Sequence, residues 1–322
     1  MNLYFAPMEG ITGYVYRRAH HSLFPSVDRY FTPFLTASQK KGFSSRELND
    51  ILPEHNRGIR VVPQILTNRA EDFIWAAEEL KEYGYREINL NLGCPSGTVV
   101  AKGKGSGFLA EREELDRFLD RIFSGLDMEI SIKTRIGKES PQEFYRLIEI
   151  FNRYPVNTLI IHPRIQTDYY KNRPNLEVFE DALSLSRAPV CYNGDLFSCE
   201  DWRNFANRFP DVDQIMLGRG LVANPGLCGE IRGEKRIDKQ ILRQFHDLVL
   251  EGYLEIMSGD KNALFKMKEL WFYMGFLFTQ PEKYLKKIKK SERLKDYASA
   301  VDSLFQEQEL AEGAAFSGKT SR

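Results

Sequence analysis

The strongest constraint on this chain is an alternation. Over the first two-thirds of its 322 residues, short apolar runs take turns with longer amphipathic stretches. The short runs read as strands at 3–6, 27–31, 61–65, 87–91, 129–134, 158–162, 190–193 and 214–217. The stretch 71–83 carries Phe73, Ile74, Ala77 and Leu80 at helical spacing, and 111–123 does the same with Leu115, Phe118, Leu119 and Ile122. A third helix, 141–153, is expected to start from Ser140 as its N-cap, with Pro141 in the first helical position. Strand–helix alternation means parallel strands joined by crossover helices. Eight strands is the number of a closed (β/α)8 barrel. The first strand runs into Ala6-Pro7-Met8-Glu9-Gly10, which is not the glycine-rich turn that opens a dinucleotide-binding sheet. The expected class is α/β, a TIM barrel.

From Asp238 onward the strand signal stops, and 241–257, 261–278 and 295–309 read as helices. Trp271, Phe272, Phe276 and Phe278 make the middle one aromatic. The expected organisation is a barrel over 1–235, an all-helical C-terminal domain over 236–311 and a flexible tail over 312–322 with Gly313, Ser317, Gly318 and Ser321.

Mean hydropathy is −0.42, and no apolar run approaches the roughly 20 residues that cross a bilayer. The start, Met1 to Pro7, has no basic region before an apolar stretch, so no secretion signal is expected. The cysteines, Cys94, Cys191, Cys199 and Cys228, include no Cys-x-x-Cys pair, so neither a metal site nor a disulfide framework is expected. The expected setting is the cytoplasm, without an obligate protein partner. With 45 basic and 45 acidic side chains the net charge is zero. Nucleic acid remains open as a partner, because what matters is where the charge sits. One run is strongly basic: Lys283-Tyr284-Leu285-Lys286-Lys287-Ile288-Lys289-Lys290, followed by Arg293 and Lys295.

A barrel places its chemistry where its strands end. Seven of the eight candidate strands end in polar or special residues: Pro7-Met8, Gln64, Asn91, Lys133-Thr134-Arg135, His162-Pro163-Arg164, Asn193-Gly194-Asp195 and Gly218-Arg219-Gly220. An inward lysine at 133 needs an anion or a polar partner, since a buried lone ammonium is costly. Gln64 and Asn193 carry amides that can pair with the edge of a heterocycle. The glycines after the last two strands let backbone N–H groups approach an anion, and Arg219 can add charge-assisted hydrogen bonds. Together these suit a phosphorylated planar ligand, and flavin mononucleotide (FMN) has that shape. Cys94 leaves the fourth strand in a loop rich in glycine, Gly103, Gly105 and Gly107, which is expected to be mobile over the site. A thiol is protonated near neutral pH and can donate that proton. Cys191 is expected in the core, and Cys199 and Cys228 in structural roles.

Ala-Pro-Met-Glu-Gly at 6–10, Pro-Gln-Ile at 63–65, Asn-Leu-Gly-Cys-Pro at 91–95, Gly-Lys-Gly-Ser-Gly at 103–107, Lys-Thr-Arg at 133–135, His162, Asn-Gly-Asp at 193–195 and Gly-Arg-Gly at 218–220 resemble a tRNA-dihydrouridine synthase. The resemblance covers roughly the barrel, residues 1–230, and that family also carries a helical domain after it. It implies that Pro7, Met8, Glu9, Gln64, Lys133, His162, Asn193, Gly194, Asp195, Gly218 and Arg219 bind FMN. It implies NADPH as reductant, a D-loop uridine of tRNA as substrate and Cys94 as the proton donor. Asn91, Arg135 and Arg164 are the implied substrate contacts, and the basic run a contact to the tRNA backbone. One segment departs from the family pattern, in which Gly-Arg-Thr follows the histidine: here Pro163-Arg164-Ile165-Gln166 follows His162. Tyr169-Tyr170-Lys171-Asn172-Arg173 could add stacking and phosphate contacts. Two other readings stay open on sequence: an FMN barrel acting on a free small molecule, as a dihydroorotate dehydrogenase does, and an RNA-binding protein without catalysis.

Overall fold

The computed structural model describes residues 1–36 and 41–316. Nine parallel strands form one sheet: β1 (Asn2–Phe5), β2 (Arg29–Phe31), β3 (Val61–Val62), β4 (Gln64–Ile65), β5 (Glu87–Leu92), β6 (Glu129–Arg135), β7 (Leu159–His162), β8 (Val190–Tyr192) and β9 (Gln214–Leu217). Their order is β3-β2-β1-β9-β8-β7-β6-β5-β4. The two ends of that order are the halves of one expected strand, 61–65, so the sheet is a ring of eight staves.

Pro63 divides the stave. It has no N–H to give to a ladder. Before it, Val61 and Val62 pair with β2; after it, Gln64 and Ile65 pair with β5. The Gln64 N–H turns to the Thr32 hydroxyl at 3.0 Å, and the Pro63 carbonyl accepts from the Asn89 N–H at 2.8 Å. The proline thus marks the point where pairing with β2 ends and pairing with β5 begins, while Leu35, beyond β2, still bridges to Ile65.

Period-two alternation decides which side chains enter the ring. Tyr4, Phe31, Val62, Ile160, Cys191 and Met216 form a small inner cluster with Ala6. Their chain neighbours, such as Leu3, Phe5, Ile161 and Leu217, face the surrounding helices in the main core. On β5 the same alternation sends Ile88, Leu90 and Leu92 outward and leaves Asn89 and Asn91 to the interior. The crossover helices Ala70–Glu82 and Arg112–Gly125 fall where the spacing places them. The third begins later than expected, at Glu143 rather than next to Ser140. The Glu143 carboxylate accepts the N–H groups of Lys138, Glu139 and Ser140, which holds the preceding residues as a loop.

After the barrel come the helices Lys239–Ile256, Asp260–Met274, Glu282–Lys290 and Leu294–Glu307. They share one continuous core with the barrel. Phe245 packs edge-on against Tyr16, His20 and Phe24 of the first barrel helix region. A Cβ on Gly252 would stand 2.7 Å from the Val15 side chain, so Val15 packs directly onto the backbone of the helix Lys239–Ile256. Inside the helical segment the Tyr297 hydroxyl accepts from Trp271 Nε1 and donates to His246 Nε2, each at 2.7 Å, while His246 Nδ1–H donates to Asp247. The tail differs from expectation as far as Phe316. That ring is buried against Phe197, Phe272, Tyr273 and Phe276, an apolar anchor stronger than the flanking glycine and polar residues suggest. Ser317, Gly318 and Ser321 lie outside the described residues. Among the described residues no helix is long and apolar enough to cross a membrane.

Phe245→Ala should lower the free energy of unfolding by about 3–5 kcal/mol, the cost of emptying a large aromatic site in a common core. Urea denaturation measures this. A single transition at lower urea is expected, and separate barrel and helical transitions would show two cores.

Candidate active site

The strand ends open into a cavity of about 790 Å³. Pro7, Met8 and Glu9 line it after β1, Gln64 from β4, Asn91 and Cys94 from β5 and its loop, Lys133 and Arg135 from β6, and His162 from β7. The helical segment closes one side with Glu269, Phe272 and Tyr273, and the loop after β7 adds Tyr169, Tyr170 and Lys171. Sequence reasoning did not place Glu269, Phe34 or Pro33 here. Pro33 and Phe34 follow β2 directly, so the strand-end rule could have found them, whereas Glu269 reaches the mouth only through the docking of the helical segment.

Cys94 is held from both sides. The Asn91 carboxamide oxygen accepts the N–H groups of Gly93 at 3.0 Å and Cys94 at 2.9 Å. Its NH2 group donates to Gln64 Oε1 at 2.6 Å; Gln64 donates to Asn89 at 2.7 Å, and Asn89 to the Ser131 hydroxyl at 3.0 Å. The Cys94 carbonyl accepts from both the N–H and the hydroxyl of Ser106. Asn91 therefore acts first as a clamp on the cysteine loop. The glycine-rich loop is not the mobile cover its composition suggests. A Cβ on Gly105, whose φ is +57°, would stand 2.8 Å from the Cys94 carbonyl, and one on Gly107 2.9 Å from that of Val100. These glycines permit close packing. Burial pushes the Cys94 thiol up from its usual value, opposed by a backbone hydrogen bond at Ser96 and by the charges of Arg135 and Lys133. The thiol is protonated at neutral pH.

Lys133 projects from β6 into the cavity wall, surrounded by protein except on the cavity side. Its ammonium makes no hydrogen bond among the described residues. Burial first, then the Arg135 charge, lowers it to about 8. His162 is 7% exposed and held well below its ordinary value by burial and the cations around it, so the ring is neutral.

Two of the expected substrate contacts are engaged within the protein. Arg135 spends its N–H groups on backbone carbonyls: Nε on Gly93, Nη1 on Ile165 and Nη2 on Tyr169. It ties the cysteine loop to the loop after β7, although it still borders the cavity. Arg164 does not line the cavity and is 1% exposed. It donates to both carboxylate oxygens of Asp195, at 2.9 and 2.5 Å, because a buried guanidinium must find a counter-charge. Asp195 also accepts from Arg219 at 2.7 Å, and Tyr170 lies over that guanidinium at 4.4 Å. Gly194 owes its lack of a side chain to the protein itself, since a Cβ there would stand 2.0 Å from the Tyr192 hydroxyl. Asn193 donates to the Met216 carbonyl at 2.8 Å. Gly218 heads the turn beside Ala6 and Met8, where a Cβ would stand 3.4 and 3.9 Å from them. Asn193, Gly194, Asp195, Gly218 and Arg219 thus gather beside the cavity, not on its wall. All four cysteines are free thiols. Among the described residues no group of three or more His, Cys, Asp or Glu converges as a metal site.

Gly194→Ala should destabilise the fold by about 1–3 kcal/mol through overpacking. Tyr192→Phe in the same chain should recover little of the loss, because the ring carbon Cζ would still stand 2.3 Å from the new Cβ. Thermal denaturation of the single and double variants checks this.

The family model for Dihydrouridine synthase matches residues 4–319. A tRNA-dihydrouridine(16) synthase of Pseudomonas putida is 26% identical over 257 residues, 77% of this chain and 79% of that one. A tRNA-dihydrouridine(47) synthase [NAD(P)(+)] of Debaryomyces hansenii is 28% identical over 191 residues, 51% of this chain but 30% of its own length. Among solved structures, a variant of NCR from Zymomonas mobilis superposes with a TM-score of 0.53 at 14% identity, covering 80% of this chain and 94% of that one, which shows the barrel fold.

Proposed function

The chain belongs to the dihydrouridine synthase family, and from that premise we propose that it reduces the C5=C6 bond of a uridine in tRNA, with FMN bound at the barrel mouth and Cys94 as the proton donor. One observation carries the reading: a half-buried, protonated thiol shares one cavity with Lys133 and His162. When bound, FMN reduced by NADPH supplies a hydride.

The residues present fit that group. Lys133 offers an ammonium with no hydrogen-bond partner among the described residues, beside the Gln64 amide and the His162 ring. Pro7 and Met8 give an apolar wall. Asn193, Gly194, Asp195, Gly218 and Arg219 stand where barrels bind phosphate. Hydride arrival at C6 of a uracil leaves enolate character towards the C4 carbonyl, and C5 then needs a proton. Cys94 Sγ–H supplies it. Asn91, Arg135 and Ser106 hold that thiol in place by fixing its peptide groups. The base must leave the tRNA fold to enter the cavity. The aromatic rings of Phe272, Tyr169 and Tyr170 at the mouth give it faces to stack on.

The tRNA body would lie across the helical segment. Lys286, Lys287, Lys289 and Lys290 are exposed on Glu282–Lys290, and buried Tyr284 and Ile288 anchor that helix one turn apart. The charge is local on a neutral chain, so it directs the polyanion to one face. This favours tRNA over a free small molecule as substrate.

Incubation with FMN, NADPH and unmodified tRNA should add two hydrogens to one uridine, read by mass spectrometry. NADPH oxidation without that gain would point to a small-molecule reductase. Cys94→Ala should keep FMN and tRNA binding and lose about a hundredfold or more in turnover; full activity would remove the thiol from the mechanism. Replacing the four lysines with glutamine should flatten the dependence of log K on log salt by roughly 0.7–0.9 per lost phosphate contact. Lys133 is charged below about 8 and neutral above it. Affinity for anionic FMN, followed by flavin fluorescence, should therefore fall as pH rises through that value, and Lys133→Met should remove the step.

A further inference from the structure

We propose that Arg164 is a positioning residue that acts through His162: its Nη1–H donates to Nε2 and so holds the imidazole as the Nδ1–H tautomer, a fixed hydrogen-bond donor to whatever acceptor lies in the cavity. The geometry leaves little freedom. Nη1 lies 2.9 Å from His162 Nε2. A guanidinium has donors and no acceptor, so Nε2 must present its lone pair, and the ring proton must sit on Nδ1. Nδ1 has no partner among the described residues, and His162 borders the cavity.

Arg164 is itself immobilised. Nε donates to the Asn172 carbonyl at 2.6 Å, and both terminal nitrogens reach Asp195. With 1% exposure it has no solvent alternative. The Tyr170 ring, its centroid 6.0 Å from that of His162, covers the imidazole. The charged and titratable groups around the ring are Lys133 and Arg135 from β6, Arg164 from its own loop, Asp195 after β8, Arg219 after β9, and Tyr170. Four are cations against one carboxylate, and that carboxylate is shared by Arg164 and Arg219. Protonating Nε2 would set N–H against N–H and add a fifth positive charge. His162 therefore does not exchange protons in the reaction; it donates one hydrogen bond whose direction Arg164 sets. The departure at Pro163 fits this arrangement. Its carbonyl accepts from the Asn175 N–H at 2.6 Å, which pins the segment that aims Arg164 back at the histidine.

The identity of the cavity ligand rests on the function proposed above, but the tautomer does not, and one experiment separates the two. Full-length protein labelled with 15N-histidine is examined by two-bond 1H–15N spectra between about pH 5.5 and pH 8.5, with and without FMN. The chain has 5 histidines, and the hydrogen bonds give the Nδ1–H form to His55, His162 and His246 and the Nε2–H form to His20. His162 is the signal lost in His162→Gln, or the single Nδ1–H signal altered by Arg164→Met. The expected result is an Nδ1–H ring that does not titrate in the cofactor-free protein, a mixed and titrating ring in Arg164→Met, and retention of the tautomer in Arg164→Lys, which still donates. An Nε2–H ring, or one titrating near its ordinary value in the wild-type protein, overturns the proposal, and the wild-type spectrum decides this even if a variant fails to fold. FMN should shift the Nδ1–H resonance. A chain that shows the tautomer but does not bind FMN would refute the cofactor reading and leave the Arg164 role standing.

Discussion

The barrel depends on one strand that changes partners at a proline. A closed ring of parallel strands needs every stave hydrogen-bonded on both sides. The stave at 61–65 achieves this by serving β2 with its first half and β5 with its second. The missing N–H of Pro63 falls at the exchange, where it leaves no ladder partner unsatisfied. The exchange also sets Gln64 inside the ring, next to Asn89 and Asn91. A run of amides then reaches from Ser131 to the cysteine loop. Closure of the fold and placement of the thiol are thus joined through a few buried hydrogen bonds.

The second organising effect is electrostatic. The chain is neutral, yet its active rim concentrates Lys133, Arg135, Arg164 and Arg219 around one histidine. These cations meet burial in three ways. Arg135 binds carbonyls, Arg164 and Arg219 share Asp195, and Lys133 relaxes towards its neutral form. A buried guanidinium without its carboxylate would cost about 3–5 kcal/mol, so Asp195 matters to stability as well as to the site. Lys133 and Arg135 both line the cavity, and Lys133 brings to it an ammonium that makes no hydrogen bond among the described residues.

The helical segment is part of the same body. Gly252 against Val15, and Gly275 with a would-be Cβ 2.6 Å from Leu285, allow close helix contacts. Lys266 donates to the Gly10 carbonyl at 2.9 Å, which links the middle helix to the loop after β1. These contacts carry Glu269, Phe272 and Tyr273 to the cavity. The face that carries the exposed lysines and the wall that would meet a substrate base therefore belong to one rigidly packed segment.

Much of this was legible in the residues. Alternation of strand and helix specifies a barrel because parallel strands need crossovers, and the inward period of two makes Asn91, Lys133 and His162 neighbours across consecutive staves. Cys94 and its motif stood out because a thiol at a strand end among polar residues has few structural reasons to be there. What sequence could not assign was the partner of each group. The glycines at 105 and 107 look like hinges in a list of residues, but in the fold they admit carbonyls. Gly194 looks like an anion cradle, and in the fold its missing side chain also makes room for Tyr192. Arg164 looks like a substrate contact, but it closes on Asp195 and His162. Local pattern determines which residues share an element and a face, because helix and strand periods are properties of the backbone. Which hydrogen bonds a buried side chain makes is decided only when distant loops meet, because burial removes water as a partner and leaves each polar group to the neighbours the fold supplies.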